Sequence, residues 1–163
     1  MQLQPVDPSH REDFYAVVLD YWQELMPDSA IMASAAKQVA YFADRFCWEG
    51  DITPPHWGVQ HDRRVGFVNF TLKEKRAHIH DFYVLPAERR KGYGRVLVQA
   101  IYDHFDAAGV QQIDLNVRRD NPHALAFWQS QGFGIALYQL RQYRDPHTGQ
   151  QVGGALSSDA DPT

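Results

Sequence analysis

One cysteine, Cys47, stands in a chain of 163 residues. A single thiol closes no internal disulfide, so a packed core has to hold the fold. That scarcity suits a reducing compartment. Set between Phe46 and Trp48, Cys47 reads as a buried structural thiol rather than a nucleophile. No apolar run approaches the ~20 residues needed to span a bilayer. No basic segment followed by an apolar run opens the N-terminus. A cytoplasmic protein with no membrane partner is expected. Excess charge is also missing: 16 Lys and Arg against 20 Asp and Glu leave a net −4. This balance excludes a general attraction to nucleic acid. No Gly-x4-Gly-Lys-Ser/Thr loop occurs, which removes the usual nucleotide-triphosphate site.

What is present describes an ordinary globular domain. Hydrophobic residues make up 44% and charged residues 22% of the sequence, enough for a sizeable core. One domain over residues 1–156 is expected, with 157–163 as a small, polar, acidic and disordered tail.

The elements follow from periodicity. Met1–Val6 alternates as a first strand. Ser9 and Glu12 have capping-box spacing, and Phe14, Val17, Val18, Tyr21, Trp22 and Leu25 repeat at helical intervals until Pro27. A second helix is expected from Ser34 to about Phe46, with Ala36, Val39, Ala40 and Ala43 buried. His56–Leu72 reads as a hairpin turning at Asp62-Arg63-Arg64. His78–Val84 is a strand stopped by Pro86, and Leu97, Ile101, Phe105 and Ala108 mark a helix ended by Gly109. Gln112–Val117 returns as a strand, parallel to the previous one because a helix crosses over between them. Asn121-Pro122 caps another helix, which closes near Gly132-Phe133. Ile135–Tyr143 and, weakly, Gln150–Leu156 are expected as last strands.

Between the central strand and its helix lies Ala87-Glu88-Arg89-Arg90-Lys91-Gly92-Tyr93-Gly94-Arg95. Cations, two glycines and a helix start with unpaired N–H groups together suit a phosphate. A dinucleotide fingerprint would need a third glycine where Leu97 stands. The spacing Arg89-x-x-Gly92-x-Gly94 resembles the acyl-CoA loop of the GNAT-type N-acetyltransferase superfamily. A second motif agrees in order and place: Asn121-x-x-Ala124-x-x-Phe127-Trp128, closed by Gly132-Phe133.

The resemblance implies a GNAT-like α/β (α+β) fold. Its mixed, mostly antiparallel sheet would have six or seven strands, four helices, and a splayed parallel pair at strands 4 and 5. It implies acetyl-CoA as co-substrate, and no metal. The cofactor's arm would lie along Phe82, Tyr83 and Val84. Its diphosphate would meet Arg89, Arg90, Lys91, Gly92, Tyr93, Gly94 and Arg95, mainly through backbone N–H groups. Asn121, Phe127 and Trp128 would border it from the other side. The reaction implied is acyl transfer to a primary amine of a small molecule or peptide. A homodimer is compatible with the sequence.

Such a reaction needs a base, because an ammonium with pKa near ~10 must lose a proton before it attacks. His80 stands where the family often carries glutamate. It is either that base or a histidine packed in the sheet. Regular alternation puts His78, His80 and Phe82 on one face and Ile79, Asp81 and Tyr83 on the other. Asp81 is then a structural carboxylate, an orienting group, or itself the base. The family's tyrosine acid is replaced by Trp128, whose indole N–H donates a hydrogen bond but delivers no proton. Tyr83 and Tyr138 are candidate replacements, or the thiolate is protonated by solvent. His78/His80 and His56/His61 complete no recognisable metal set. Trp22, Trp48, Trp57, Asp44, Glu49 and Asp51 are candidates for an acceptor pocket. A catalytically weak acyl-CoA-binding module and a nucleotide-phosphate binder are the competing readings.

Overall fold

The computed structural model describes residues 1–29, 32–46 and 53–138. Among them five strands form one sheet in the order β1 (Gln2–Pro5), β2 (His56–Gln60), β3 (Arg63–Lys73), β4 (Arg76–Val84) and β5 (Gln112–Leu115). The first four are antiparallel neighbours, and β4 pairs with β5 in parallel. Among the described residues four α-helices accompany them: α1 (Arg11–Leu25), α2 (Ala35–Arg45), α3 (Tyr93–Ala107) and α4 (Pro122–Ser130). Among the described residues no helix is long and apolar enough to cross a membrane.

A core lies on each side of the sheet. On one side α1 and α2 bring Phe14 edge-on against Phe46, Trp57 and Phe67, at centroid distances of 5.1, 5.3 and 5.2 Å. On the other, Leu97, Val98, Ile101 and Phe105 of α3, with Trp128 of α4, cover Val68, Phe70, Ala77 and Ile79. These helix positions match a buried stripe at 3.6-residue spacing.

Several expectations are corrected. Five strands, not six or seven, are present among the described residues. Ile135, Leu137 and Tyr138 are 55, 72 and 84% exposed and enter no ladder. Alternation marks a segment fit for pairing, but a strand also needs a neighbour. The rest of that segment, Gln150–Leu156, the tail, and Cys47, Trp48, Glu49 and Asp51 lie outside the described residues. The Ser9–Glu12 capping box gives way to an earlier cap, because Asp7 accepts from the Ser9 backbone at 2.8 Å and opens a short 3-10 turn. The alanine stripe of α2 faces solvent and Val39 is 61% exposed. Phe42 is buried instead, since an aromatic ring removes more apolar surface than several alanines. The β2–β3 turn falls at His61 and Asp62, both at positive φ, as a two-residue type I′ connection requires.

The register of β4 departs from regular alternation. Asn69 pairs with Asp81, yet the next residue, Phe70, pairs with Ile79. His80 is therefore an extra residue on β4, a β-bulge. Regular alternation fails there. Below the bulge Ala77 and Ile79 face α3; above it Phe82 joins the α3/α4 core while Tyr83 joins the α1/α2 core. His80 and Asp81 thus share the α1/α2 side, which strict alternation excludes.

Candidate functional site

The ladder between β4 and β5 runs only from Arg76↔Gln112 to Ile79↔Leu115. Beyond it the two strands no longer pair. The Leu85 N–H donates to the Val65 carbonyl at 2.9 Å, which makes Val65 and Leu85 a hydrogen-bonded pair. Since such pairs alternate along an antiparallel ladder, Phe67–Tyr83 and Asn69–Asp81 bond likewise. The N–H and C=O groups of Phe82 and Val84 therefore turn away from β3, toward the gap that β5 leaves. This is a short open edge able to bond an extended amide-bearing ligand.

The turn beside this gap is built around Gly92, at φ +81, which caps α3. A side chain at this φ would be strained, so glycine is needed. Gly94, two residues on, sits so close to α4 that a Cβ would come 3.3 Å from the Phe127 ring. The first N–H groups of α3 consequently open onto the loop.

The loop cations divide into two pairs. Arg89 donates to both Glu24 carboxylate oxygens, at 2.8 and 3.1 Å, and through Nε to the Val84 carbonyl at 2.9 Å. Lys91 bonds Glu88 at 3.1 Å, and Arg63 of β3 pairs with the same carboxylate. The Lys91 contact leads in holding the Glu88 carboxyl below its ordinary pKa. Arg90 and Arg95 form no ion pair among the described residues and remain available to an anion.

On the α1/α2 side the bulge places His80 in a cavity of about 370 Å³, lined also by Tyr41, Asp44, Arg45, Asn69 and Thr71. The Thr71 hydroxyl is 3.1 Å from His80 Nε2. Burial, then the neighbouring His78 and Arg45, pull the His80 pKa below the usual histidine value. Asp81 is fully engaged: Arg45 donates to its two oxygens at 2.8 and 3.1 Å and Asn69 at 3.0 Å. Tyr83 donates its hydroxyl to Glu24 at 2.8 Å, and burial followed by that bond pushes its pKa up. It lies on the face opposite Trp128, which is buried against Phe82, Phe127 and Phe133. Asn121 caps α4 by accepting from the Ala124 N–H at 3.0 Å. Among the described residues no group of three or more metal-binding side chains gathers.

The structure thus brings His80 beside the open β4 edge and the α3 N-terminus near the same gap. It leaves Tyr83 with α1 and Tyr138 exposed. Thr71, Arg45, Asn69, Glu24 and Glu88 are participants that sequence reasoning passed over. None carries a motif. Only the succession of β3 and β4 along the chain pointed to Asn69 and Thr71.

The acetyltransferase (GNAT) family matches residues 13–133. A [ribosomal protein bS18]-alanine N-acetyltransferase of Salmonella typhimurium is 30% identical over 82 residues, covering 50% of this chain and 55% of that protein. The chain thus spans about half that relative's length. YycN of Bacillus subtilis superposes with a TM-score of 0.71 at 15% identity, over 87% of this chain and 97% of that one. An aminoglycoside N-acetyltransferase solved in complex with CoA superposes at 0.63 and 14% identity, over 89 and 94%. At these identities the superpositions establish a shared fold. The family match takes in α1 through the Gly132-Phe133 close, including the glycine loop and the Asn121-capped helix, and the chain belongs to the GNAT acetyltransferase family.

Proposed function

We propose that this protein transfers an acetyl group from acetyl-CoA to a primary amine of a small molecule or peptide, by direct attack, in a single cytoplasmic domain over residues 1–156. The supporting observation is the bulge. It puts the imidazole of His80 in a cavity between α2 and β3, on the strand just past Ile79, where pairing with β5 ends. The edge and the α3 N-terminus fit the two ends of coenzyme A, amide arm and diphosphate. When bound, acetyl-CoA supplies an activated thioester.

The chain's own groups have separable tasks. Phe82 offers its backbone donor and acceptor to the cofactor's arm, the Val84 carbonyl being engaged by Arg89, and the Val84 N–H is the donor for a developing oxyanion. Tyr93 and Gly94 offer the helix-start N–H groups, while the Arg95 N–H donates to the Gly92 carbonyl at 3.1 Å, and the Arg90 and Arg95 side chains hold phosphate charge. His80, whose pKa its surroundings lower, takes a proton from the amine. Asp81, engaged by Arg45 and Asn69, holds Arg45 and the cavity wall rather than acting as the base. Tyr83 and Arg89, both on Glu24, join α1 to the loop. Asn121, Phe127 and Trp128 form the far wall, and the thiolate takes its proton from solvent.

The test is thiol release from acetyl-CoA across a panel of amines, with calorimetric CoA binding in parallel. Turnover with at least one amine, lost in His80→Ala while CoA binding persists, is the expected result. Trp128 in place of a hydroxyl-bearing residue favours a second reading, a catalytically weak acyl-CoA-binding module. That reading requires CoA binding with no turnover on any amine.

A further inference from the structure

We infer that Thr71 is a positioning residue, which fixes His80 in the tautomer carrying its proton on Nε2. The inference rests on the assignment of His80 as base and goes one step beyond it.

His80 is the bulged residue, so no cross-strand partner registers its backbone. What locates its ring is the hydroxyl of Thr71, 3.1 Å from Nε2. No other hydrogen bond to this ring forms among the described residues. The charged and titratable groups around it are His78 and Asp81 on β4 and Tyr41, Asp44 and Arg45 on α2. Arg45 spends its donors on the Asp81 carboxylate and on the His80 backbone carbonyl. The His78 ring lies 4.7 Å away, centroid to centroid, and its own Nε2 is 3.5 Å from Asn116.

A neutral imidazole has one lone pair and one N–H. Thr71 occupies Nε2 in either tautomer. A base at this position must therefore work through Nδ1, and Nδ1 carries a lone pair only when the proton is on Nε2. Threonine's hydroxyl oxygen is suited to accept that proton's hydrogen bond. During transfer the amine nitrogen bonds to the acyl carbon, and the carbon–sulfur bond breaks. One amine proton passes to Nδ1. The resulting imidazolium keeps its Nε2–H on Thr71, a bond that strengthens as the ring becomes charged. The thiolate then takes a proton from solvent, and the imidazolium returns one.

Thr71→Val keeps the β-branched shape and removes the acceptor. It is expected to lower kcat by roughly fivefold to tenfold, the scale of one lost hydrogen bond, with KM for the amine unchanged. The acid limb of the pH profile should move to lower pH, because the imidazolium loses its partner. Thr71→Ser, which keeps the hydroxyl, should restore both. Nitrogen-15 NMR of the histidine ring in the wild-type protein should show Nε2 protonated in the neutral form, a readout independent of turnover and of how the variants fold. A neutral ring protonated on Nδ1, or a Thr71→Val enzyme with wild-type kcat and pH profile, overturns the inference. If His80→Ala itself retains full turnover, the assignment of the base fails first, and this inference with it.

Discussion

His80 can accept a proton only while it is neutral. Burial and the charges of His78 and Arg45 lower its pKa from the ordinary histidine value of about 6.5. Activity should therefore rise as pH rises through a midpoint below that value, and His78→Ala, by removing repulsion, should move the midpoint upward. A pH–rate profile of kcat/KM for both proteins measures this. A second expectation concerns Asp81, whose side chain is 1% exposed beneath Arg45. Asp81→Ala leaves Arg45 and Asn69 without their acceptor. It should lower the unfolding free energy by about 3 kcal/mol, as removal of one partner of a buried pair does, and urea denaturation reads that loss. At this scale the sequence was partly legible. Position along a strand singled out His80 and Asp81. The groups that tune them enter from elsewhere: Arg45 from a helix 36 residues away, and Thr71 nine residues away across a hairpin. Local patterning carries no record of such contacts.

The glycine loop and α3 were the most readable element, since strand, cations, glycines and apolar stripe each leave a local signature. What the signature did not reveal is how the cations are used. Arg89 and Lys91 are held by Glu24 and Glu88, while Arg90 and Arg95 form no ion pair among the described residues. Arg90→Ala with Arg95→Ala should weaken CoA binding severalfold or more by calorimetry, in a salt-dependent manner, with little change in melting temperature. A contrasting element is the β3–β4 ladder. A Cβ on Gly66 would stand 2.1 Å from the Tyr83 carbonyl oxygen, a backbone atom that no rotamer change relieves. Gly66→Ala should destabilise by about 1–3 kcal/mol, seen as a lower urea midpoint. The α2 stripe was misread for a plain reason: small alanines satisfy helical spacing on any face, and the larger aromatic face decides which side packs.

Across the whole molecule the sheet separates two cores, and the α3 side contains a buried histidine outside the candidate site. His56 is 5% exposed, stacks on Phe70 with centroids 5.2 Å apart, and lies 5.7 Å from His104. Burial first, and then repulsion from His104, pulls its pKa down to about 4. The unfolded chain, with a histidine near ~6.5, binds more protons between those values, so stability must fall as pH drops from about 6.5 toward 4. The loss attached to His56 is at most about 3 kcal/mol. Denaturant melts over that interval should show the decline, and His56→Gln should flatten it. Fold class, parallel β4–β5 pairing and helix order were legible at this scale, because strand–helix–strand connections leave few topologies open. The strand count and the facing of β4 were not, since edge pairing and bulges depend on neighbours that no short window contains.

The bulge has one more implication. Were His80 deleted, Ile79 would be followed directly by Asp81, and the β3–β4 ladder would run in step from end to end. Asp81, Phe82 and Tyr83 would each keep the side of the sheet they already occupy. His80 is in that sense a surplus residue, spliced into a strand whose packing is complete without it. On the proposed reading, the proton acceptor at this spot can be gained or discarded by a single codon, while the packing of β4 stays as it was.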